Sequence, residues 1–152
     1  MASDLFDSLL MIVAKLDEAK IPYALVGGLA VAVHGAPRAT TDIDLLIDPA
    51  DADRAVATAK AAGFSFEALP QQFSDGMRLR RVTRIDKGET LTLDLMLADP
   101  PLHPAWESRE QFETDSGQGL WVIGRDALIA MKVQAGRAKD LADVERLQEI
   151  DR

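Results

Sequence analysis

The stretch from Val26 to Ile47, Val-Gly-Gly-Leu-Ala-Val-Ala-Val-His-Gly-Ala-Pro-Arg-Ala-Thr-Thr-Asp-Ile-Asp-Leu-Leu-Ile, constrains the fold more than any other part of the chain. An apolar strand runs into a Gly-Gly turn, a short helix follows, and a second apolar strand carries aspartates at positions i and i+2. Strand side chains alternate between faces, so Asp42 and Asp44 point the same way, roughly 7 Å apart along the backbone. Ile43, Leu45 and Ile47 then point into the opposite layer. Charge inside Ile-x-Leu-Leu-Ile is costly to desolvate unless something neutralises it, and a coordinated divalent cation does so. Two carboxylates converging beside a glycine turn form a cradle for such an ion and for a phosphate chain.

The rest of the chain supplies the frame. Leu5, Leu9, Ile12, Val13 and Leu16 recur at helical spacing and predict a first amphipathic helix over 4–19, ended by Pro22. A buried strand over 23–26, a helix over 29–33 closing near Gly35, and the Asp-x-Asp strand over 42–47 follow, with Pro37 forcing an extended approach. An Ala-rich helix over 51–62 stops at Gly63, and 64–69 reads as an edge strand. Residues 77–85 and 90–97 read as two strands joined through the turn-rich Asp86-Lys87-Gly88-Glu89. In the second of these, Leu91, Leu93, Leu95 and Leu97 share one face and Thr92, Asp94 and Met96 the other, so Asp94 interrupts an otherwise apolar segment. Residues 99–118 read as loop with a helical turn or two, 120–123 as a last short strand, and 126–135 and 139–150 as two helices separated by Gly136. The pattern predicts one α/β (α+β) domain over 1–152: a mixed sheet of about five strands flanked by helices, packed mainly on one face.

Composition narrows the partners. Apolar residues at 47% and charged residues at 28% are ordinary for a soluble globular protein, and zero cysteines exclude disulfides and thiolate metal sites. No apolar run is long enough to span a bilayer and no signal segment opens the chain, so the expectation is a cytoplasmic protein with no membrane partner. The net charge of −8 opposes a nonspecific grip on nucleic acid. Locally basic clusters at Arg78, Arg80, Arg81 and Arg84 and at Arg137 with Lys139 still leave room for a basic groove.

Each candidate has a plain structural alternative. Gly27-Gly28 could be only a tight turn, and Asp42 and Asp44 only solvated strand-end acids. Arg38 could neutralise phosphate or pair with Asp42 or Asp48. Asp94 could pair with an arginine of the basic hairpin. His34 reads first as a helix-end histidine satisfying backbone carbonyls, and His103 carries no signal; two histidines make a His-rich zinc site unfavourable. Lys132 could lie on an exposed stripe, and Asp140 and Asp143 read as acids capping the last helix.

Gly27-Gly28, Asp42-x-Asp44 and Asp94 together resemble the nucleotidyltransferase superfamily of the DNA polymerase β type. The longer string Gly-Gly-Leu-Ala…His-Gly…Arg-x-Thr-x-Asp-Ile-Asp-Leu, with Ala-Leu-Ile-Ala-Met-Lys…Gly-Arg-Ala-Lys-Asp-Leu-Ala-Asp-Val near the C-terminus, is similar to the AbiEii-type subgroup of minimal nucleotidyltransferases. The resemblance implies transfer of a nucleoside monophosphate from an NTP to a hydroxyl acceptor, an RNA or tRNA end or a protein, within a toxin–antitoxin pair. It assigns Asp42, Asp44 and Asp94 to Mg2+ or Mn2+, gives Asp94 the alternative task of proton removal, and brings Lys132 to the nucleotide phosphate. Gly27, Gly28 and Arg38 would bind the nucleotide, and Asp143 would support the site. Family members commonly have serine where Gly28 stands, so a hydroxyl ligand to phosphate is absent here. A partner protein or a second copy could supply acceptor recognition. The rival expectation is a non-catalytic module of the same fold, an antitoxin or regulatory partner.

Overall fold

The computed structural model describes residues 2–150. Helix α1 (Ala2–Glu18) buries Leu5, Leu9, Ile12, Val13 and Leu16, the stripe expected from their spacing. Strand β1 (Tyr23–Val26) is buried throughout, because it runs through the middle of a sheet covered on both sides. Helix α2 (Gly27–Val33) starts on the glycines themselves, with no residue between strand and helix.

Strand β2 (Asp42–Ile47) returns antiparallel to β1, and helix α3 (Ala52–Ala61) follows a 3-10 turn at Pro49–Asp51, where Asp48 accepts a hydrogen bond from the Ala50 N–H. Two short strands, β3 (Phe66–Glu67) and β4 (Gln71–Gln72), both pair with β5 (Arg78–Asp86). The β5–β6 hairpin, with β6 at Glu89–Leu97, lays β6 parallel to β2. Helix α4 (His103–Glu107), strands β7 (Glu110–Glu113) and β8 (Gly119–Val122), and helices α5 (Arg125–Ala135) and α6 (Ala138–Glu149) complete the chain.

The mixed α/β architecture stands, with a larger sheet. It has eight strands in the order β3-β5-β6-β2-β1-β8-β7, with β4 also on β5, rather than about five. The strands beyond expectation, β4 and β7, and the shortened edge strand β3 have weak sequence signals. β3 and β4 are two residues each, and β7 is Glu-Gln-Phe-Glu inside a stretch read as loop. The expected edge strand over 64–69 shrinks to Phe66–Glu67, because Phe64 is drawn wholly into the core.

Helices flank both faces, not mainly one. Helix α3 lies over the side bearing Arg80 and Leu97, while α5 lies over the side bearing Asp44 and Met96. Ile43, Leu45, Ile47, Leu93 and Leu95 fill the first layer, and each such buried side chain contributes about 1.5–3 kcal/mol. Among the described residues no helix is long and apolar enough to cross a membrane.

Candidate active site

Asp42 and Asp44 stand on β2, which lies between β1 and β6 near the middle of the sheet. β6 runs parallel to β2 in a register that sets Asp94 directly beside Asp44 and Thr92 beside Asp42. On the other flank Val26, the last residue before the glycine turn, pairs with Asp44. One row across the sheet thus joins the start of α2 to two carboxylates. Gly27 has φ +71°, and a Cβ there would collide with Asp44 Oδ2 and lie 2.9 Å from Asp44 Cγ. A Cβ on Gly28 would come within 2.7 Å of Thr40 Oγ1 and 3.2 Å of an Arg38 η nitrogen. The glycines are required because the strand's carboxylate and the approach to that strand press against the turn.

These groups open into a cleft of about 470 Å³ between the sheet and α5–α6. Gly27, Gly28, Asp42 and Asp44 line it together with the basic residues Arg38, Lys132, Arg137 and Lys139. Met77, Met96, Met131 and Leu128 give an apolar flank. Burial, then the charges of Asp94 and Asp42, push the Asp44 carboxyl up to about 7, with Lys132 and Arg81 pulling it back.

Asp94 is buried, and both its oxygens accept hydrogen bonds from Arg81 on β5, at 2.7 Å from Nε and 3.0 Å from an η nitrogen. The pairing with the basic hairpin is therefore the one adopted. Among the described residues, no three His, Cys, Asp or Glu side chains are gathered as a metal cage. The donor set nonetheless fits a hard divalent cation: Asp42 and Asp44 supply oxygen ligands on one face, and mutual repulsion around Asp44 is what a cation relieves. Magnesium needs only one or two carboxylates when phosphate oxygens and water complete its shell.

Arg38 and Lys132 line the cleft, with ion-pair partners that the sequence did not single out. Arg38 pairs with neither Asp42 nor Asp48. Its Nε and an η nitrogen donate to the two oxygens of Asp143, at 2.7 and 2.9 Å. Lys132 is buried rather than on an exposed stripe, with Nζ 3.0 Å from Asp143 and 3.4 Å from Asp140. Asp140 does serve the start of α6, accepting from the Arg137 N–H at 3.3 Å and its Nε at 2.6 Å. Asp143 is no cap. It is fully buried, and although burial alone would raise its carboxyl, hydrogen bonds from Arg38 and Lys132 outweigh this and hold it below the usual range.

The cleft therefore brings Gly27, Gly28, Arg38, Asp42, Asp44 and Lys132 together, with Asp94 in register just beyond them. Arg137 and Lys139 join them, and the sequence marked these two only as a basic pair after Gly136. Arg81 had no distinguishing signal among four neighbouring arginines. His34 lies apart, its Nε2 2.8 Å from the Ile123 carbonyl oxygen and its ring edge-on to Phe112. Asp99 pairs with Arg78 through two hydrogen bonds, at 2.9 and 2.7 Å.

Three solved structures share this fold at low identity. A Thermotoga maritima protein assigned to the nucleotidyltransferases superposes with TM-score 0.69 at 16% identity, covering 97% of this chain and 94% of its own. The antibiotic-resistance factor ANT(2″)-Ia follows with TM-score 0.64, 15% identity and coverage of 95% and 83%. The Helicobacter pylori protein JHP933 gives TM-score 0.62 at 20% identity, covering 97% of this chain and 66% of that one. No curated protein matches the chain. The family model described as aminoglycoside-2″-adenylyltransferase matches residues 8–93, from α1 through the glycine turn and Asp-x-Asp strand to the residue before Asp94, and the chain belongs to that family, within the nucleotidyltransferases.

Proposed function

We propose that the chain transfers a nucleoside monophosphate from an NTP to an acceptor hydroxyl, with Mg2+ or Mn2+ held by Asp42 and Asp44. The observation that carries this reading is the contact between the glycine turn and Asp44: a Gly27 Cβ would strike the carboxylate. Phosphate lying along that backbone is thereby brought against the acids. A bound divalent cation would neutralise phosphate charge and orient the reacting α-phosphate for in-line attack.

The protein's own groups do the rest. Val26 offers no capping side chain to the start of α2, which leaves first-turn N–H groups for phosphate oxygens. Lys132 and Arg38 line the same cleft, as do Arg137 and Lys139. Their positive charge suits the pyrophosphate end of the nucleotide, and the methionine flank suits its base. Asp94 stands beside Asp44 as a third ligand or as acceptor of the hydroxyl proton.

The acceptor reading follows the cleft's charge. Among the described residues that line it, only Asp42, Asp44 and Asp140 are acidic. The first two are committed to the cation, and Asp140 is wholly buried against Lys132 and Arg137. Among the described residues a polycationic aminoglycoside finds no free carboxylate in this cleft, so we favour an RNA or tRNA end or a protein hydroxyl. That choice accords with an AbiEii-like enzyme of a toxin–antitoxin pair, with a partner protein or a second copy aiding recognition. The test is incubation with each α-labelled NTP and Mg2+ in separate arms containing total RNA, lysate protein or an aminoglycoside. Label in RNA or protein is expected. Label on the aminoglycoside alone would overturn the acceptor choice, and absence of both transfer and Mg-NTP binding would overturn the enzyme.

A further inference from the structure

Asp44, Asp94 and Arg81 lie side by side on three adjacent strands, Asp94 in register with Asp44 on one flank and with Arg81 on the other. The Arg81–Asp94 pair is bidentate, so it fixes the plane of the carboxylate and occupies a lone pair on each oxygen. The two partners differ in freedom. The Asp94 side chain is 10% exposed and set in the sheet, whereas the Arg81 side chain is 41% exposed. The guanidinium can therefore leave toward solvent without opening the core, and the carboxylate cannot leave at all.

A guanidinium and a divalent cation compete for the same oxygens and repel each other at that range. A free ion entering the site meets Asp42 and Asp44 but finds Asp94 taken and a positive charge beside it. The nucleotide alters both conditions. Its phosphates complete the ion's shell, and their negative charge offers the guanidinium another partner.

We propose that Arg81 is a positioning residue that withholds Asp94 from the metal ion until the NTP arrives, so that the third carboxylate joins the site only in the ternary complex. This rests on the metal-dependent reading of the site. Its consequence is an order of assembly: metal alone binds weakly, metal and nucleotide bind together, and an idle site does not hold a fully coordinated ion.

The test compares wild type, Arg81→Met, Arg81→Lys and Asp44→Asn, each checked for folding by circular dichroism. Mn2+ binding is measured by electron paramagnetic resonance, alone and with a non-hydrolysable NTP analogue. Arg81→Met keeps the apolar stem and removes the charge. It is expected to bind Mn2+ alone about tenfold more tightly than wild type or better, a difference that shrinks once the analogue is present. Arg81→Lys, which retains one charge without the bidentate fork, is expected to fall between them. A folded Arg81→Met with unchanged affinity for Mn2+ alone would overturn the proposal. A readout on the unmutated protein stands beside it: the Arg81 Nε–H resonance, assigned by through-bond correlation to the Arg81 backbone. It should stay put with Mg2+ alone and move when the analogue is added with Mg2+. A resonance unmoved by the pair would overturn the proposal even if no variant folds. Equal Mn2+ affinity of Asp44→Asn and wild type would overturn the underlying metal site, a different failure from either of these.

Discussion

Asp44 and Asp143 are the same residue type in opposite circumstances, and the contrast predicts opposite mutational outcomes. Asp143 is buried with Arg38 and Lys132 as partners, so its charge is matched. Asp143→Asn leaves those cations short of a counter-charge, and truncating one side of a buried ion pair costs roughly 3 kcal/mol. Chemical denaturation of the variant should show a loss of that order, with nucleotide affinity also falling because Arg38 and Lys132 lose their anchor. Asp44 has carboxylates for near neighbours, and its carboxyl is pushed up to about 7 first by burial and then by Asp94 and Asp42. Asp44→Asn should therefore leave the metal-free protein as stable as wild type or more so, while removing the gain in melting temperature that Mg-NTP gives. A metal-free Asp44→Asn that melts far below wild type, with its response to Mg-NTP intact, would mark a structural aspartate.

At the scale of elements, the strand-to-helix joint between β1 and α2 is where shape is least negotiable. Gly27 combines φ +71° with a collision between its absent Cβ and Asp44. Gly27→Ala should cost about 1–2 kcal/mol from the left-handed backbone alone and weaken Mn2+ binding, because Asp44 must move to admit the methyl group. Gly28 is confined by Thr40 rather than by the acids, so Gly28→Ala should destabilise through that contact. A double-mutant cycle with Thr40→Ala checks this: the pair should cost less than the sum of the single substitutions, and strict additivity would exclude the contact. The joint between α5 and α6 is the second fixed point. Gly136 closes α5 in the left-handed region at φ +67°, and the next residues, Arg137 and Lys139, reach the cleft.

For the whole molecule, the acids set the pH dependence of stability. Asp44 keeps its proton in the fold up to about pH 7, while the unfolded chain releases it near the ordinary aspartate value of 3.8. Between those values the folded state binds more protons than the unfolded one, so metal-free stability falls as pH rises, by up to about 1.4 kcal/mol per pH unit. Above pH 7 both states are ionised and this decline ends. Asp140 and Asp143, held below their usual range, act in the opposite sense: their stabilisation is present above the unfolded value and lost as pH falls through the folded one. Urea melts of the metal-free protein from pH 4 to 8 should show a decline that Asp44→Asn flattens and saturating Mg-NTP offsets. A wild-type stability that rises across that interval would contradict the buried placement of Asp44 beside Asp94 and Asp42.

The elements around Gly27, Gly28, Asp42 and Asp44 were legible in the sequence because the information there is local. Strand alternation alone puts Asp42 and Asp44 on one face and Ile43, Leu45 and Ile47 on the other, and a glycine pair between an apolar strand and a helical run announces the turn. The α1 stripe and the β5–β6 hairpin rest on equally local periodicities. What the chain could not announce depends on partners distant along it. Glu-Gln-Phe-Glu becomes β7 only because β8 lies beside it to receive its hydrogen bonds. Arg38 chooses Asp143, 105 residues away, over the nearer Asp42 and Asp48 because the packing of α6 brings a buried carboxylate to it. Lys132, which its own segment left open between a surface stripe and the site, becomes a cleft residue for the same reason, since Asp140 and Asp143 arrive from the next helix and neutralise it. Arg81 is one of four arginines within seven residues, and only the cross-strand register decides that it, rather than Arg80, faces Asp94. Periodicity is a property of a segment and survives in sequence. Charge pairing is a property of positions brought together in space, and tertiary structure alone decides it.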